Sequence, residues 1–419
     1  MASRPSPISP NKAPLRRWAV VGAAIAGMST GPGQFAFGSL SLFIIPLGKE
    51  FGWDRAEISV ASTIFTVTLM LSLPFLGRLV DRYGSRRILL PSMLIVALLL
   101  ASNAYFVEEL WHFWLVFALI GCLGAGANSL PYMRTVSAWF DRRRGLALGI
   151  TLAGAGLGYS YVPPAVQAVI ASHGWRAAYY LLAAIILFIA LPLIALFFRE
   201  SPGERASSAP SVSSEATLPG MERPAALRMP VFWQLFAVFG LLSCALYGLM
   251  LHSVPMLIDR GMSATAAALA ASTIGVTIMI SRVIVGYLID RIFAPVVAAI
   301  AFGLSAVGLI VLAVGAVDVA AFIAMILIGF SIGAEIDLLT FLTTRYFGLR
   351  HFGAIYGLLF VSFLIGTSSG PLLFGWAYER AGSYTLVLWV AAALVLAATL
   401  ITRTLPQYAR FESSGENHA

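Results

Sequence analysis

Gly77-Arg78-Leu79-Val80-Asp81-Arg82-Tyr83-Gly84-Ser85-Arg86-Arg87 closes one apolar stretch, and Gly286-Tyr287-Leu288-Ile289-Asp290-Arg291 closes another in the second half of the chain. Each is a G-x-x-x-D-R box at the end of a segment long enough to cross a bilayer. A box repeated at matching places in two halves marks an internal duplication, here of helical bundles that rock against each other. The glycines permit close helix approach and a tight turn. Asp81 can cap or pair with a neighbouring helix end, and the arginines can pair with acids or lipid phosphates. A lone Asp-Arg pair would read as an ordinary basic loop; the repeat argues against that.

The rest of the chain agrees. Its 419 residues are 59% hydrophobic and 11% charged, with mean hydropathy +0.87, whereas soluble domains carry about 25% charged residues. Apolar windows predict spans at 18–47, 57–78, 88–107, 111–138, 145–171, 176–198, 229–258, 264–289, 294–316, 318–345, 352–378 and 383–402. In hydrocarbon a span must satisfy its own backbone hydrogen bonds, so all twelve are expected to be helices. The expected organisation is a tail at 1–17, a six-helix bundle at 18–198, a Ser- and Pro-rich linker at 199–228, a second six-helix bundle at 229–402 and a tail at 403–419.

Basic residues orient the bundle. With both termini cytoplasmic, that side takes about 20 of the Lys and Arg residues, and only Lys49, Arg55, Arg176, Arg260 and Arg380 face outward. The net charge of +8 then faces anionic lipid across many short loops, and no nucleic-acid partner is needed. The expected location is the cytoplasmic membrane, as a monomer, with no cleavable leader. Cys122 and Cys244 lie inside spans and read as small packing residues without a disulfide. The five histidines are scattered and form no H-E-x-x-H cluster, so no metal site is expected. No G-x-x-x-x-G-K-[ST] loop is present, and no cofactor is expected. The glycines of Gly154-Ala155-Gly156-Leu157-Gly158 lie in an apolar span with no strand before them, so they read as helix packing rather than a dinucleotide loop. Gly366, Gly370-Pro371 and Gly375 read the same way. These absences argue for a carrier over an enzyme.

The first box resembles the loop between helices 2 and 3 of the major facilitator superfamily, and the likeness extends over almost the whole chain. A narrower resemblance, to the monocarboxylate-transporter-like branch, rests on Phe51-Gly52-Trp53-Asp54-Arg55, on Trp139-Phe140-Asp141-Arg142-Arg143-Arg144-Gly145, and on Arg282 placed before Gly286 and Asp290. The fold so implied is twelve transmembrane helices in two pseudo-symmetric six-helix bundles. The resemblance implies a gate latch at Gly77, Asp81, Arg82, Gly84, Gly286, Asp290 and Arg291. It also implies that polar residues of helices 1, 4 and 7 line a cavity, here Gln34, Asn128, Tyr132 and Tyr247, and that Arg282 binds a substrate carboxylate.

The residues independently favour Arg282. It lies eight residues before Asp290, roughly 12 Å deep, and its planar fork suits a carboxylate. Glu335 and Asp337 sit near mid-membrane, about 200° apart on one helix. One is expected to titrate and the other to pair between helices, with the choice left open. Arg134 is expected to snorkel or to pair with helix 10. His252, near a span end, reads as an interfacial histidine. Animal monocarboxylate carriers have an acid where this chain has Ile278 and a lysine near Ser39. Their coupling route is therefore in doubt here, and Glu335 or Asp337 is left as the available acid. The expected activity is secondary transport of a small organic anion, a monocarboxylate first, with protons as a second ligand. The alternatives are an exporter of cationic drug-like compounds and an obligate anion exchanger.

Overall fold

The computed structural model describes residues 13–140, 144–200, 220–348 and 350–408, and the side chains of these from residue 17 onward. Among the described residues helix accounts for nearly everything, and the one sheet-like contact is an isolated bridge between Gly220 and Gly348. The first crossing is α1 (Ala13–Ser29) and α2 (Ser39–Phe51), joined through a π-helical segment, Gly33–Gly38. Then come α3 (Arg55–Tyr83) and α4 (Ser85–Phe106). The fourth crossing is α5 (Leu110–Leu123), a 3-10 segment at Gly124–Ala127 and α6 (Ser129–Trp139). The next two crossings are one folded run: α7 (Arg144–Ile185), a π segment at Ile186–Ala190 and α8 (Leu191–Phe197). Gly174, at φ 81°, turns that run back on itself.

The second half opens with a short α9 (Arg223–Arg228) and continues with α10 (Pro230–Asp259), α11 (Ala264–Ile289), α12 (Ala294–Ala313), α13 (Asp318–Phe347), α14 (Phe352–Ala381) and α15 (Thr385–Arg403). Among the described residues ten helical stretches are long and apolar enough to cross a membrane. Counting the folded 144–197 run as two crossings, and adding the broken first crossing, gives the expected twelve. Most of the expected linker lies outside the described residues. Its end is tied down where the Met221 N–H donates to the Phe347 carbonyl at 2.8 Å.

Local chemistry explains the turns. Asp54 and Glu57 form a capping box at the start of α3, with the Asp54 N–H donating to Glu57 Oε2 at 3.0 Å. Gly84 ends α3 at φ 86°, a conformation that L side chains rarely adopt, and a Cβ there would also strike Glu200. The first box therefore needs this glycine. Gly77 and Gly286 differ from expectation: no atom lies within 4 Å of where their Cβ would be, so neither supports close packing in this conformation.

Strict alternation sorts the helix ends onto two faces. Arg78, Arg82, Arg86, Arg144, Arg291 and Arg345 lie on one, called here the basic face; Lys49, Arg55, Arg176, Arg260 and Arg380 lie on the other. Across the halves α7 packs on α11, α3 on α14 and α2 on α10. The first two contacts use glycine. A Cβ on Gly156 would meet Met279 and the Gly275 carbonyl, and one on Gly375 would meet the Ala56 backbone. Gly154, Gly158, Gly366 and Gly370 are likewise closed in by neighbouring backbone, in keeping with the packing reading. Cys122 and Cys244 are free thiols.

Candidate functional site

A cavity of about 590 Å³ lies between the halves. It runs from Gln34 and Tyr247 at mid-depth to Ile289 and Thr344 at the basic-face ends of α11 and α13. Its walls include both broken crossings. Gln34 lies in the π segment, and Asn128 and Ser129 follow the 3-10 segment. Irregular backbone at membrane depth is tolerated where it lines a cavity, and π segments recur at functional sites.

The cavity gathers most of the residues expected from sequence. Arg282, Asn128, Gln34, Tyr247 and Asp337 all line it. Arg282 Nη1 donates to Asp337 Oδ1 at 3.4 Å, a long single contact, and Arg282 Nε is buried without an acceptor. The guanidinium is thus held by an acid but retains unused donors. Tyr247 stands between Phe37 and Phe363, edge-on to both at 6.0 and 5.4 Å.

Glu335 and Asp337 take opposite sides of α13, as their angular separation requires. Asp337 faces the cavity, with a side chain 27% exposed. Glu335 is fully buried, and neither carboxyl oxygen has a hydrogen-bond partner among the described residues. A charge at that position would lack both donor and counter-ion, which is costly in a dry interior.

Three expectations need correction. Tyr132 is not a cavity residue: it is fully buried, with its hydroxyl 3.6 Å from Met93 Sδ and its ring edge-on to Phe198. The absent side chain of Gly27 leaves room for that ring. Arg134 pairs with Asp81 at the end of α3 at 2.6 Å, so the partner expected on the tenth span is replaced by one on the second, at the basic face to which snorkelling was expected to take it. His252 is not interfacial but fully buried.

The second box makes no matching ion pair among the described residues. Arg291 lies over the Tyr287 ring at 3.5 Å, and Arg82 leans toward Tyr83 at 5.3 Å. Ile289, within the second box, lines the cavity, and no residue of the first box does.

Opposite the opening, the far face is sealed by residues of both halves. Arg55 of α3 donates to Asp259 of α10 through Nη1 at 2.6 Å and Nη2 at 2.9 Å. It also donates to the Tyr384 hydroxyl at 2.9 Å, and its guanidinium lies 3.8 Å over the Tyr378 ring. The Arg55 N–H donates to Glu379 at 3.0 Å. Beneath this, His252 Nε2 is 2.9 Å from the Pro371 carbonyl and 3.0 Å from Ser59 Oγ, and Nδ1 is 2.9 Å from the Tyr384 hydroxyl. A carbonyl only accepts, so Nε2 carries the hydrogen; in the neutral ring Nδ1 then accepts from Tyr384. The donors run from Arg55 through Tyr384 and His252 to Pro371.

Sequence reasoning missed this seal, since its partners are 204 residues apart and each alone reads as a loop charge. It also missed Tyr159 and Tyr356, which line the cavity but stand in apolar runs where a tyrosine reads as packing. The Tyr159 hydroxyl donates to the Gly33 carbonyl at 3.1 Å and braces the π segment.

Residues 23–365 match the family model described as Major Facilitator Superfamily. The chain is 26% identical to human monocarboxylate transporter 11, over 97% of this chain and 86% of that one. It is 28% identical to the oxalate:formate antiporter of Oxalobacter formigenes, over 89% of this chain and 88% of that one. Among solved structures, a bacterial homologue of the human lysosomal transporter Spinster, in an inward-facing and occupied conformation, superposes with a TM-score of 0.71 at 15% identity. That match covers 95% of this chain and 97% of the other.

Proposed function

The chain belongs to the Major Facilitator Superfamily and is a membrane transporter, and from that premise we propose that it carries a small organic anion, a monocarboxylate first, with Arg282 as the anchor for the carboxylate. The observation that carries this reading is the state of Arg282. It lies in the central cavity, bound to Asp337 by one 3.4 Å contact, with Nε free. A guanidinium at membrane depth with a donor left unused is costly unless it serves a ligand, and its fork fits a carboxylate better than any neutral group. Relatives named for monocarboxylates and for oxalate and formate support the same substrate class.

Asp337 supplies a coupling route. A proton on Asp337 releases Arg282 to take the substrate carboxylate. The charge balance closes: an Arg–Asp pair plus a proton and an anion becomes a neutral acid plus an Arg–anion pair. The acid that animal carriers hold where this chain has Ile278 is then unnecessary, since Asp337 reaches Arg282 from α13 instead. Obligate exchange would use the same anchor without the proton step.

In this reading residues 18–198 and 229–402 are the two rocking bodies, 199–228 is their link, and the basic face is cytoplasmic. The conformation is then inward-facing. The boxes at Gly77–Gly84 and Gly286–Arg291 act when the halves close on that side, with Asp81 and Arg134 holding the first box in shape. Uptake of labelled short-chain monocarboxylates and labelled organic cations into proteoliposomes tests the function. Transport of cations without carboxylates would sink it.

A further inference from the structure

The far-face seal holds a titratable group that substrate binding at Arg282 leaves idle. His252 stands on α10 two turns before Asp259, roughly 10 Å beneath the Arg55–Asp259 fork. It is fully buried, and its ring is held by both halves: by Ser59 of α3 on one side and by Pro371 and Tyr384 on the other.

These contacts admit one arrangement of hydrogens. The Ser59 hydroxyl places its hydrogen on the Arg55 carbonyl at 2.7 Å, so Ser59 and the Pro371 carbonyl are both acceptors for Nε2–H. Arg55 donates to the Tyr384 hydroxyl, whose own hydrogen goes to Nδ1. Every donor has an acceptor only while the imidazole is neutral. Two of these links, Ser59 to His252 and Arg55 to Tyr384, join the first half to the second.

A proton on Nδ1 breaks the order. Tyr384 would then face donors on both sides, and its own hydrogen would lose its acceptor. Two cations would stand either side of one hydroxyl, away from water. No carboxylate touches the ring among the described residues. Asp259 of α10 and Glu379 of α14 are bonded to Arg55 instead, and Asp54 and Glu57 are engaged in the capping box of α3. Tyr378 of α14 lies under the Arg55 guanidinium, and α2, α11 and α13 bring no titratable side chain into contact with the ring.

We propose that His252 is a proton switch for the far-face gate: neutral, it completes the seal, and protonated, it holds that face open. When α3 moves away from α10 and α14 the ring meets water, where an imidazole takes a proton at a pKa of about 6.5. Closure then requires that proton to return to the far-side solution. A fall in far-side pH through about 6.5 therefore favours the open state, and at higher pH the switch is silent. The proton at His252 is sensed rather than carried, and it is distinct from the one assigned to Asp337. The inference rests on the rocking of the two halves and is independent of the substrate.

Spin labels on Ser172→Cys and Thr265→Cys, exposed far-face positions on α7 and α11 in opposite halves, report opening by double electron–electron resonance, with Cys122 and Cys244 replaced. In the full-length protein in liposomes, the ratio of long to short distances is expected to rise about tenfold from about pH 7.5 to about pH 5.5. His252→Gln keeps an amide donor and an acceptor but does not titrate, so its ratio should stay constant within about twofold. Asp337→Asn should keep the full response, because it removes only the central acid. A wild type without a pH response, a response that survives in His252→Gln, or a response lost in Asp337→Asn overturns the switch. Should His252→Gln not fold, His252→Asn, which keeps an acceptor toward Tyr384, carries the same expectation and the same refutation.

Discussion

Arg55 and Asp259, on opposite halves, face each other through two parallel hydrogen bonds of 2.6 and 2.9 Å. This fork ties the halves together on the face away from the cavity mouth. Both side chains are partly exposed, at 16% and 29%, so the pair's contribution is discounted for solvent to about 1 kcal/mol. That suffices to bias two conformations of similar energy by about fivefold.

Asp259→Asn should therefore shift the population toward the state open on the far face. Ser41→Cys, in a background without Cys122 and Cys244, provides the readout. Ser41 lies behind the seal, where its Oγ accepts from the Val254 N–H at 3.2 Å. Its labelling rate from the far side should rise in Asp259→Asn. Gly375→Val should act in the same direction and more strongly, because its side chain meets the Ala56 backbone. An unchanged labelling rate in both variants would show that the fork does not hold the closure.

Arg282→Lys keeps the charge and loses the planar fork. Loss of a charge-assisted contact costs about 1.5–3 kcal/mol, or roughly 10- to 150-fold in affinity. The expected result is that loss in carboxylate affinity, with normal insertion and an unchanged far-face labelling pattern. Wild-type affinity in the mutant would remove Arg282 from the site.

Asp337→Asn tests coupling. With no acid beside Arg282 the proton step disappears, so an inward proton gradient should no longer stimulate uptake, while exchange at equal pH survives. Glu335→Gln should retain the stimulation, because Glu335 lies on the other side of α13, away from Arg282. A wild type indifferent to the gradient would mean that both acids are structural. Loss of stimulation in Glu335→Gln alone would move the proton to that residue.

Asp81→Asn should slow the transport cycle more than it weakens binding. The Asp81–Arg134 pair is exposed at the acid, 77%, so its loss should leave thermal stability nearly unchanged. Measured at matched protein level, an unchanged maximal flux would reduce the first box to an ordinary basic loop.

Orientation is tested by labelling intact cells from outside. With the native cysteines removed, Ser172→Cys, near the far-face turn at Gly174, should react, and Ser207→Cys, in the linker, should not. The reverse pattern would invert the membrane reading.

The fold was legible because a bilayer leaves the chain few choices: apolar length, alternation and the repeated box already specify twelve helices. The depth of Arg282 and the opposed faces of Glu335 and Asp337 followed from helix geometry alone. Rotation of a residue about its helix axis was less legible. Tyr132 shares its segment with Asn128 yet packs into the interior, because the bare backbone of Gly27 leaves room for its ring. The far-face seal was not legible at all. Arg55 and Asp259 become partners only through tertiary assembly, and His252 looks interfacial until α3, α14 and the Tyr384 turn close around it.

The glycines without neighbours have a consequence for how this protein should be assayed. Gly77, Gly145, Gly149, Gly286, Gly353 and Gly357 all sit toward the basic-face ends of their helices, with open space where a side chain would stand. Gly156, Gly275 and Gly375 are filled in by the opposite half. An alanine scan scored by heat resistance in this conformation would therefore pass the first set as silent and flag the second. Scored by turnover, the first set should become sensitive as well, since a surface idle in one shape is a bearing in the other. Melting curves record only the resting pose of such a machine; its wear shows up only when it runs.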